Sequence, residues 1–351
     1  NVSTRDEVLR REMRQMEAGW FSAGKVERSR TRLQRLGFFE DVNVETPTVP
    51  GTTDQVDVNY SVTEQSSGSI TAGLGYAQTS GLLFNVAISQ DNFLGSGKRV
   101  SFAFNNSDIN TVYNFSYVNP YYTVDGVSRG FGIFFRETEA DEANLSDYST
   151  DSFGGNVSFG IPINEYDTIR FNAEYENLEL KKTNSSPEEV TDFIDDHGDQ
   201  YNTLRLTGSW SHDTRNKAIF ADKGGLQRFV VEAAVPGSEL EYYKVDYRQQ
   251  RYVPLTRNLT LEMSADIGFG DGYGDFDELP FFENYFAGGV RSVRGFEDNS
   301  LGPLDSKNNP IGGSMKLVGG AELFFPVPFL EASNSYRMSA FFDIGNVYDG
   351  V

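Results

Sequence analysis

Ile169-Arg170-Phe171-Asn172-Ala173-Glu174-Tyr175 is the stretch that decides the fold. Apolar side chains at 169, 171, 173 and 175 alternate with Arg170, Asn172 and Glu174. That period of two sends successive side chains to opposite faces of a strand. The same alternation runs through Leu82/Phe84/Val86/Ile88, Val100/Phe102/Phe104, Tyr113/Phe115/Tyr117, Phe131/Ile133/Phe135 and Leu259/Leu261/Met263/Ala265/Ile267. It predicts about thirteen strands of roughly ten residues each, long enough to cross a bilayer when tilted. A soluble sandwich would alternate similarly, but it would not fill the second face of so many strands with charge. Strands in lipid must satisfy every backbone group, which requires a closed barrel. The expected fold is therefore mainly β, a transmembrane antiparallel β-barrel.

Composition agrees. Phe 28, Tyr 18 and Gly 35 in 351 residues make a chain rich in aromatics yet hydrophilic on average, as an apolar exterior around a wet interior demands. No run of roughly eighteen apolar residues is present, so no transmembrane helix is expected. Cysteine is absent, which excludes disulfides, thiolate zinc sites and cysteine nucleophiles. The net charge of −21 argues against nucleic acid as a partner. Residues 1–66 carry nine Lys/Arg against eleven Asp/Glu, leaving 21 against 40 for the rest, so the acidity belongs to the barrel segment.

Residues 1–65 read as a separate α+β domain and residues 66–351 as the barrel. Asn1 leads straight into a helical pattern, which reads as a start inside a longer protein. Thr4 and Glu7 suggest a capping box, with Leu9, Met13 and Met16 on one helical face. A second helix is expected from about Ala23 to Leu36, ended by Gly37 in left-handed conformation. Val42 and Val44 mark one strand, and Val56, Val58, Tyr60 and Val62 another. In the barrel segment the connections alternate: short ones near 90–98, 118–128, 161–167 and 254–258, longer ones at 137–150, 181–200 and 269–313, with only 212–224 longer than the scheme prefers. The long loops hold Glu137, Glu139, Asp141, Glu142, Glu188, Glu189, Asp192, Asp195 and Asp196, read as solvated and mutually repelling, with divalent bridging to lipopolysaccharide as the alternative. Ser186-Pro187-Glu188-Glu189 predicts a short helix before Gly198, with Ser186 as N-cap and Pro187 at the first position.

Several motifs are set aside. Gly95-Ser96-Gly97-Lys98 lacks the first glycine of a phosphate loop, where Asn92 stands, and has Arg99 in place of Ser/Thr. His197 and His212 have neither triad nor metal spacing. Asp271, Asp275 and Asp277 do not follow an EF-hand. No cofactor, metal site or catalytic constellation is expected, and the chain is not read as an enzyme. The loop Gly288–Pro303, GGVRSVRGFEDNSLGP, stands apart: four glycines fold it tightly around Arg291, Arg294 and Phe296. By parity Glu322 faces inward between Ala321 and Leu323, and Asp343 inward between Phe342 and Ile344. An arginine in a narrow lumen needs such carboxylates to replace its hydration.

LQRLGFFEDVNVE (33–45) resembles a polypeptide-transport-associated (POTRA) domain, a β-α-α-β-β module whose first strand would precede Asn1. Val293-Arg294-Gly295-Phe296 resembles the VRGF motif of the bacterial outer-membrane barrel-assembly superfamily, and QDNFLGSGK and NPYYTVDGVS are similar in its turns. That resemblance implies a barrel of sixteen strands, three of them beyond Val351, in the outer membrane with the small domain in the periplasm. It implies that Arg294 pairs with Glu322 and Asp343, and that the first strand, Ile70-Thr71-Ala72-Gly73-Leu74-Gly75-Tyr76, is a lateral gate. It also implies insertion of other β-barrel proteins without covalent chemistry or cofactor. The partners would be unfolded outer-membrane clients, accessory outer-membrane lipoproteins, periplasmic chaperones, the lipid bilayer and lipopolysaccharide. The alternatives are a two-partner-secretion type exporter of the same superfamily and a passive porin.

Overall fold

The computed structural model describes residues 4–77, 81–143, 145–217, 220–327 and 337–350. The chain opens with α1 (Asp6–Arg10) and α2 (Ala23–Arg35), followed by an antiparallel pair, β1 (Phe39–Glu45) and β2 (Asn59–Glu64). On α2, Val26, Ser29 and Leu33 point inward at helical spacing, and Leu33 meets Val8, Phe38, Phe39 and Val42 in a small core. Val42 pairs with Val62 and Val44 with Tyr60, so one face of the two strands closes that core. Ser29 is tolerated inside because its hydroxyl donates to Lys25 O (2.9 Å) and accepts from Arg14 N (2.8 Å). Gly37 ends α2 at φ +72°.

Two local expectations fail here. The capping box does not form: α1 is capped by Arg5 without a side-chain bond. Thr4 instead donates from its amide to Glu64 (2.6 Å), bonds the same carboxylate through its hydroxyl, and accepts from Asn92 (2.7 Å). A junction between the two parts of the chain has claimed the residue that would cap the helix. The helix then stops at Arg10, so Leu9 and Met13 reach the core while Met16 is 71% exposed. The second strand also starts late, because Val56 makes only an isolated bridge to Thr48.

From Gly68 onward the chain is one antiparallel meander. Thirteen strands lie in sequence order: β3 (Gly68–Ala77), β4 (Gly81–Gln90), β5 (Arg99–Asn106), β6 (Asn110–Asn119), β7 (Ser128–Glu139), β8 (Ser149–Pro162), β9 (Asp167–Lys181), β10 (Gln200–Asp213), β11 (Gly224–Ala234), β12 (Tyr242–Pro254), β13 (Thr260–Gly272), β14 (Met315–Phe325) and β15 (Met338–Tyr348). β3 and β15 are the two edges. The outward parity is apolar, with Ile70, Leu74 and Tyr76 near 78% exposed and Phe342 and Ile344 near 65%. Outward aromatics gather at two heights. Phe104 meets Tyr113 (4.8 Å between centroids) towards the far ends of their strands, and Tyr122 meets Phe159 (6.2 Å) near the end that carries the small domain. Rings at the two strand ends suit the two interfaces of a bilayer.

The far-end loops are less open than their acidity suggests. α3 (Glu188–His197) buries Val190 against Tyr148, Leu180, Tyr201, Tyr242, Phe276 and Phe281, while Glu188, Asp192, Asp195 and Asp196 stay exposed. Its cap is Pro187, one residue later than expected, because the Ser186 hydroxyl donates instead to Asp147 O (2.7 Å). His197 stacks on Phe276 (4.6 Å), and His212 lies 2.9 Å from Asp167. Among the described residues no group of acids and histidines could hold a metal ion.

The small domain rests on the first two near-side turns. Arg5 N donates to Gly95 O (2.9 Å) in a turn where Asn92 and Leu94 both take positive φ. In the next turn Tyr121 lies under the Arg11 guanidinium (4.3 Å) and accepts from Arg32 (2.9 Å). Glu12, 2% exposed, pairs with Arg32 at 2.6 Å. Burial lowers the pKa of Arg11, opposed by Glu12 beside it, and raises that of Tyr121. Four polar atoms of this cluster are buried without a hydrogen bond: Arg11 Nε and Nη2, Glu12 Oε1 and Arg32 Nε. Glu12→Gln should therefore loosen the docked domain by about 1–3 kcal/mol, and Tyr121→Phe, which keeps the ring under Arg11, by about 1 kcal/mol. Urea titration of trypsin cleavage between the two parts measures both, and an effect of Tyr121→Phe larger than that of Glu12→Gln would contradict the assignment.

Candidate functional site: the loop inside the barrel

Residues 273–314 connect β13 to β14 and fold back on themselves. Isolated bridges pair Tyr285 with Gly313, Ala287 with Leu301 and Leu304 with Pro310. At the tip, Gly288 N donates to the Ser292 hydroxyl (2.8 Å), which donates back to Gly288 O (2.7 Å). Val293 is buried, and Gly295 holds φ +94°, a conformation L side chains rarely adopt. Between these two residues the chain presents Arg294 to the inner wall.

The guanidinium forks onto Asp343. Nε donates to Oδ2 (2.6 Å) and Nη2 to Oδ1 (2.8 Å), while the backbone N–H of Arg294 adds a third bond to Oδ2 (3.1 Å). Nη1 reaches Glu322 Oε2 at 2.8 Å. The bidentate geometry suits a planar cation and a carboxylate, and fixes orientation as well as charge. Phe341 lies beneath, its ring centroid 3.6 Å from the guanidinium carbon. Sequence reading missed this ring, although Phe341 shares the inward parity of Asp343; Phe at an inward position two residues from an acid was the available signal. Arg291 is exposed and makes no ion pair among the described residues. Phe296 is 54% exposed, its ring left open to the interior.

The wall explains why a cation is wanted there. Glu262 on β13 stands directly opposite Glu322 on β14, two inward carboxylates facing each other across a strand pair. Like charges so placed repel unless a third group neutralises them. Asp343 pairs in register with Gly320, whose missing side chain leaves room for the Asp343 carboxylate, 3.0 Å from where a Cβ would stand. Three elements distant in sequence, β14, β15 and the loop tip, thus converge on one ion cluster.

The first strand lies at the other end of the sheet order. β3 pairs only with β4, from Gly68↔Gln90 to Ala77↔Gly81. Its inward positions are small or polar: Ser69, Thr71, Gly73 and Gly75. Gly73 sits so close to Asn85 that an added Cβ would lie 2.2 Å from its side-chain oxygen. Ala72 shares the outward face of Ile70, Leu74 and Tyr76.

Asp343 has a side chain 5% exposed and Glu322 20%. Asp343→Asn should then cost about 2–4 kcal/mol of barrel stability, because it leaves a largely desolvated arginine with one partner. Glu322→Gln should cost about 1 kcal/mol, because Glu322 takes one hydrogen bond from Arg294 where Asp343 takes three. The temperature at which the folded barrel loses its compact electrophoretic mobility orders the two, and the reverse order would contradict the geometry.

Comparison with known proteins adds to this picture. The Omp85 superfamily domain model matches residues 92–351, and a POTRA model, described as a surface antigen variable number repeat, matches residues 1–65. Outer membrane protein assembly factor BamA of Neisseria meningitidis serogroup B is 36% identical over 364 aligned residues, covering 100% of this chain and 46% of the relative. The chain therefore spans about half the length of that curated relative. The crystal structure of BamA from Haemophilus ducreyi lacking POTRA domains 1–3 superposes with a TM-score of 0.87 at 30% identity, covering 99% of this chain and 70% of that one. CdiB from Escherichia coli shares the fold alone, with a TM-score of 0.59 at 14% identity over 97% of this chain and 63% of that one. The alternating wall, the small domain at its near end and the family match over most of the sequence lead to one assignment: the chain belongs to the Omp85 superfamily, as an outer-membrane β-barrel that carries a periplasmic POTRA domain.

Proposed function

We propose that this chain is the barrel subunit of a machine that folds and inserts other β-barrel proteins into the bacterial outer membrane. The observation that carries the reading is likeness to assembly factors along the whole chain, through the POTRA domain, the wall and the luminal loop together. No covalent step is involved. The work is done by exchanging backbone hydrogen bonds between one sheet and another, as in strand addition to an open sheet edge.

The site for that exchange is the outer edge of β3. Its inward positions 73 and 75 are glycines, which weaken a strand interior, and its outward face offers Ile70, Ala72, Leu74 and Tyr76 to lipid. A client strand adds to this edge, and the barrel opens laterally beside it. The POTRA domain receives unfolded clients from periplasmic chaperones by the same kind of strand addition, and accessory outer-membrane lipoproteins assemble around it. The Arg294 cluster acts elsewhere, keeping the wall at β14 and β15 rigid while the first strand moves. The residues Val293, Arg294, Gly295 and Phe296 act as a brace, with Glu322 and Asp343 as its footing.

The test is reconstitution of the protein into liposomes with a urea-unfolded outer-membrane barrel as client. Insertion is read as heat-modifiable mobility of the client. Arg294→Ala should lower both the barrel's own heat resistance and the yield of folded client. Ala72→Pro on β3, whose N–H faces the free edge and not β4, should abolish client folding while leaving heat resistance almost unchanged. Vesicles that carry a secreted polypeptide into their lumen, yet fold no barrel client, would overturn the insertase in favour of an exporter.

A further inference from the structure

The same loop is held a second time, near its root, by an acid that carries no motif. Glu283 lies in the short helical turn Phe281–Glu283, and its carboxylate sits between two cations of the inner wall. Arg205 of β10 donates to Oε1 (3.1 Å), and Lys244 of β12 lies 3.3 Å from Oε2. The Lys244 ammonium also donates to the main-chain oxygen of Glu283 (2.6 Å) and lies 4.7 Å from the Tyr285 ring centroid. That lysine is thus engaged by the backbone, the acid and the ring of one loop. The three side chains are only 14–17% exposed. β10 and β12 are not neighbours, since β11 runs between them, so one loop carboxylate ties two strands across a third.

The wall is shaped to receive the loop at this height. Three successive inward positions on β13 are glycines: 268, 270 and 272. A Cβ added there would stand 2.5 Å from the Tyr285 ring, 2.9 Å from Leu279 and 2.5 Å from the carbonyl oxygens of Phe276 and Glu278. The loop therefore lies directly against the strand, through the Tyr285 and Leu279 side chains and through its backbone at Phe276 and Glu278. Arg205 already holds Glu174 (2.7 Å) and Glu176 (2.5 Å), so the wall does not need Glu283 for neutrality. What Glu283 adds is attachment of the loop. Between it and Arg294 run the bridges Tyr285↔Gly313 and Ala287↔Leu301, a short braced arm.

We infer that Glu283 is a positioning residue, which clamps the loop root to β10 and β12 so that Arg294 is delivered to Asp343 and Glu322. Its consequence for client insertion rests on the insertase reading above; the clamp itself does not. The chain has no cysteine, so spin labels can be placed at will on the whole protein in liposomes. Labels at E297C in the loop and N258C in the near-side turn between β12 and β13 report where the tip sits, and both native residues are exposed. The parent should give one narrow distance. Glu283→Gln should lose it, although Arg294, Glu322 and Asp343 are untouched. Lys244→Gln should lose it too, with the loop sequence unchanged. Glu176→Gln, which removes a carboxylate of Arg205 without touching the loop, should keep it.

A narrow distance retained in Glu283→Gln overturns the inference, as does equal broadening in Glu176→Gln. If Glu283→Gln fails to form a heat-modifiable barrel, Lys244→Gln decides. Failure of both to fold while Glu176→Gln folds overturns the positioning role in favour of a structural one. Loss of the distance in Glu283→Gln, in a protein whose parent folds no client, supports the clamp and sinks the insertase reading alone.

Discussion

Backbone amides in lipid have no water to turn to. Every strand of the wall must find its hydrogen bonds in its neighbours, and the antiparallel meander from β3 to β15 is how this chain supplies them. That constraint fixes the outer face, which must be apolar along its whole width. It leaves the inner face free, and the inner face is where Arg205, Lys244, Glu174, Glu176, Glu232, Glu262, Glu322 and Asp343 accumulate. Charge inside follows from apolarity outside, because alternate residues of one strand serve both.

Free placement has a cost, since charges in a confined interior are poorly hydrated. The chain meets it with a single long connection. One limb of the loop inserts Glu283 among the cations of β10 and β12, and its tip inserts Arg294 among the acids of β14 and β15. An acid is sent to Arg205 and Lys244, and a base to Glu322 and Asp343. The two contacts are opposite in sign, so neither can take the other's place.

Much of this is legible in the sequence alone, for reasons that can be named. Strand number and facing follow from a period of two that lipid imposes on the wall, so Ile344 and Asp343 fall on opposite faces. The luminal loop is legible because Val293-Arg294-Gly295-Phe296 resembles a superfamily motif, and its Gly295 takes positive φ. What stays hidden depends on contacts between distant parts of the chain. Thr4 looks like a helix cap in isolation, but Glu64 and Asn92 compete for it. Ser186 loses its capping role to Asp147. The far-end loops look merely acidic, although Val190, Phe276 and Tyr201 form a core that no local window reveals. Glu283 is one acid among fifty-one in the sequence. Nothing at its own position distinguishes it, because Arg205 and Lys244 acquire their meaning only when β10, β12 and the loop meet.

The absence of cysteine acquires a mechanical meaning in this setting. Outside the cytoplasm a protein can lock a loop with a covalent crosslink, and this chain does not. Its fastenings are ionic, and each can be undone and remade by thermal motion without any exchange of electrons. A fixture of that kind stays shut for most of the time, yet it yields to sustained pull from a moving neighbour and resets by itself afterwards.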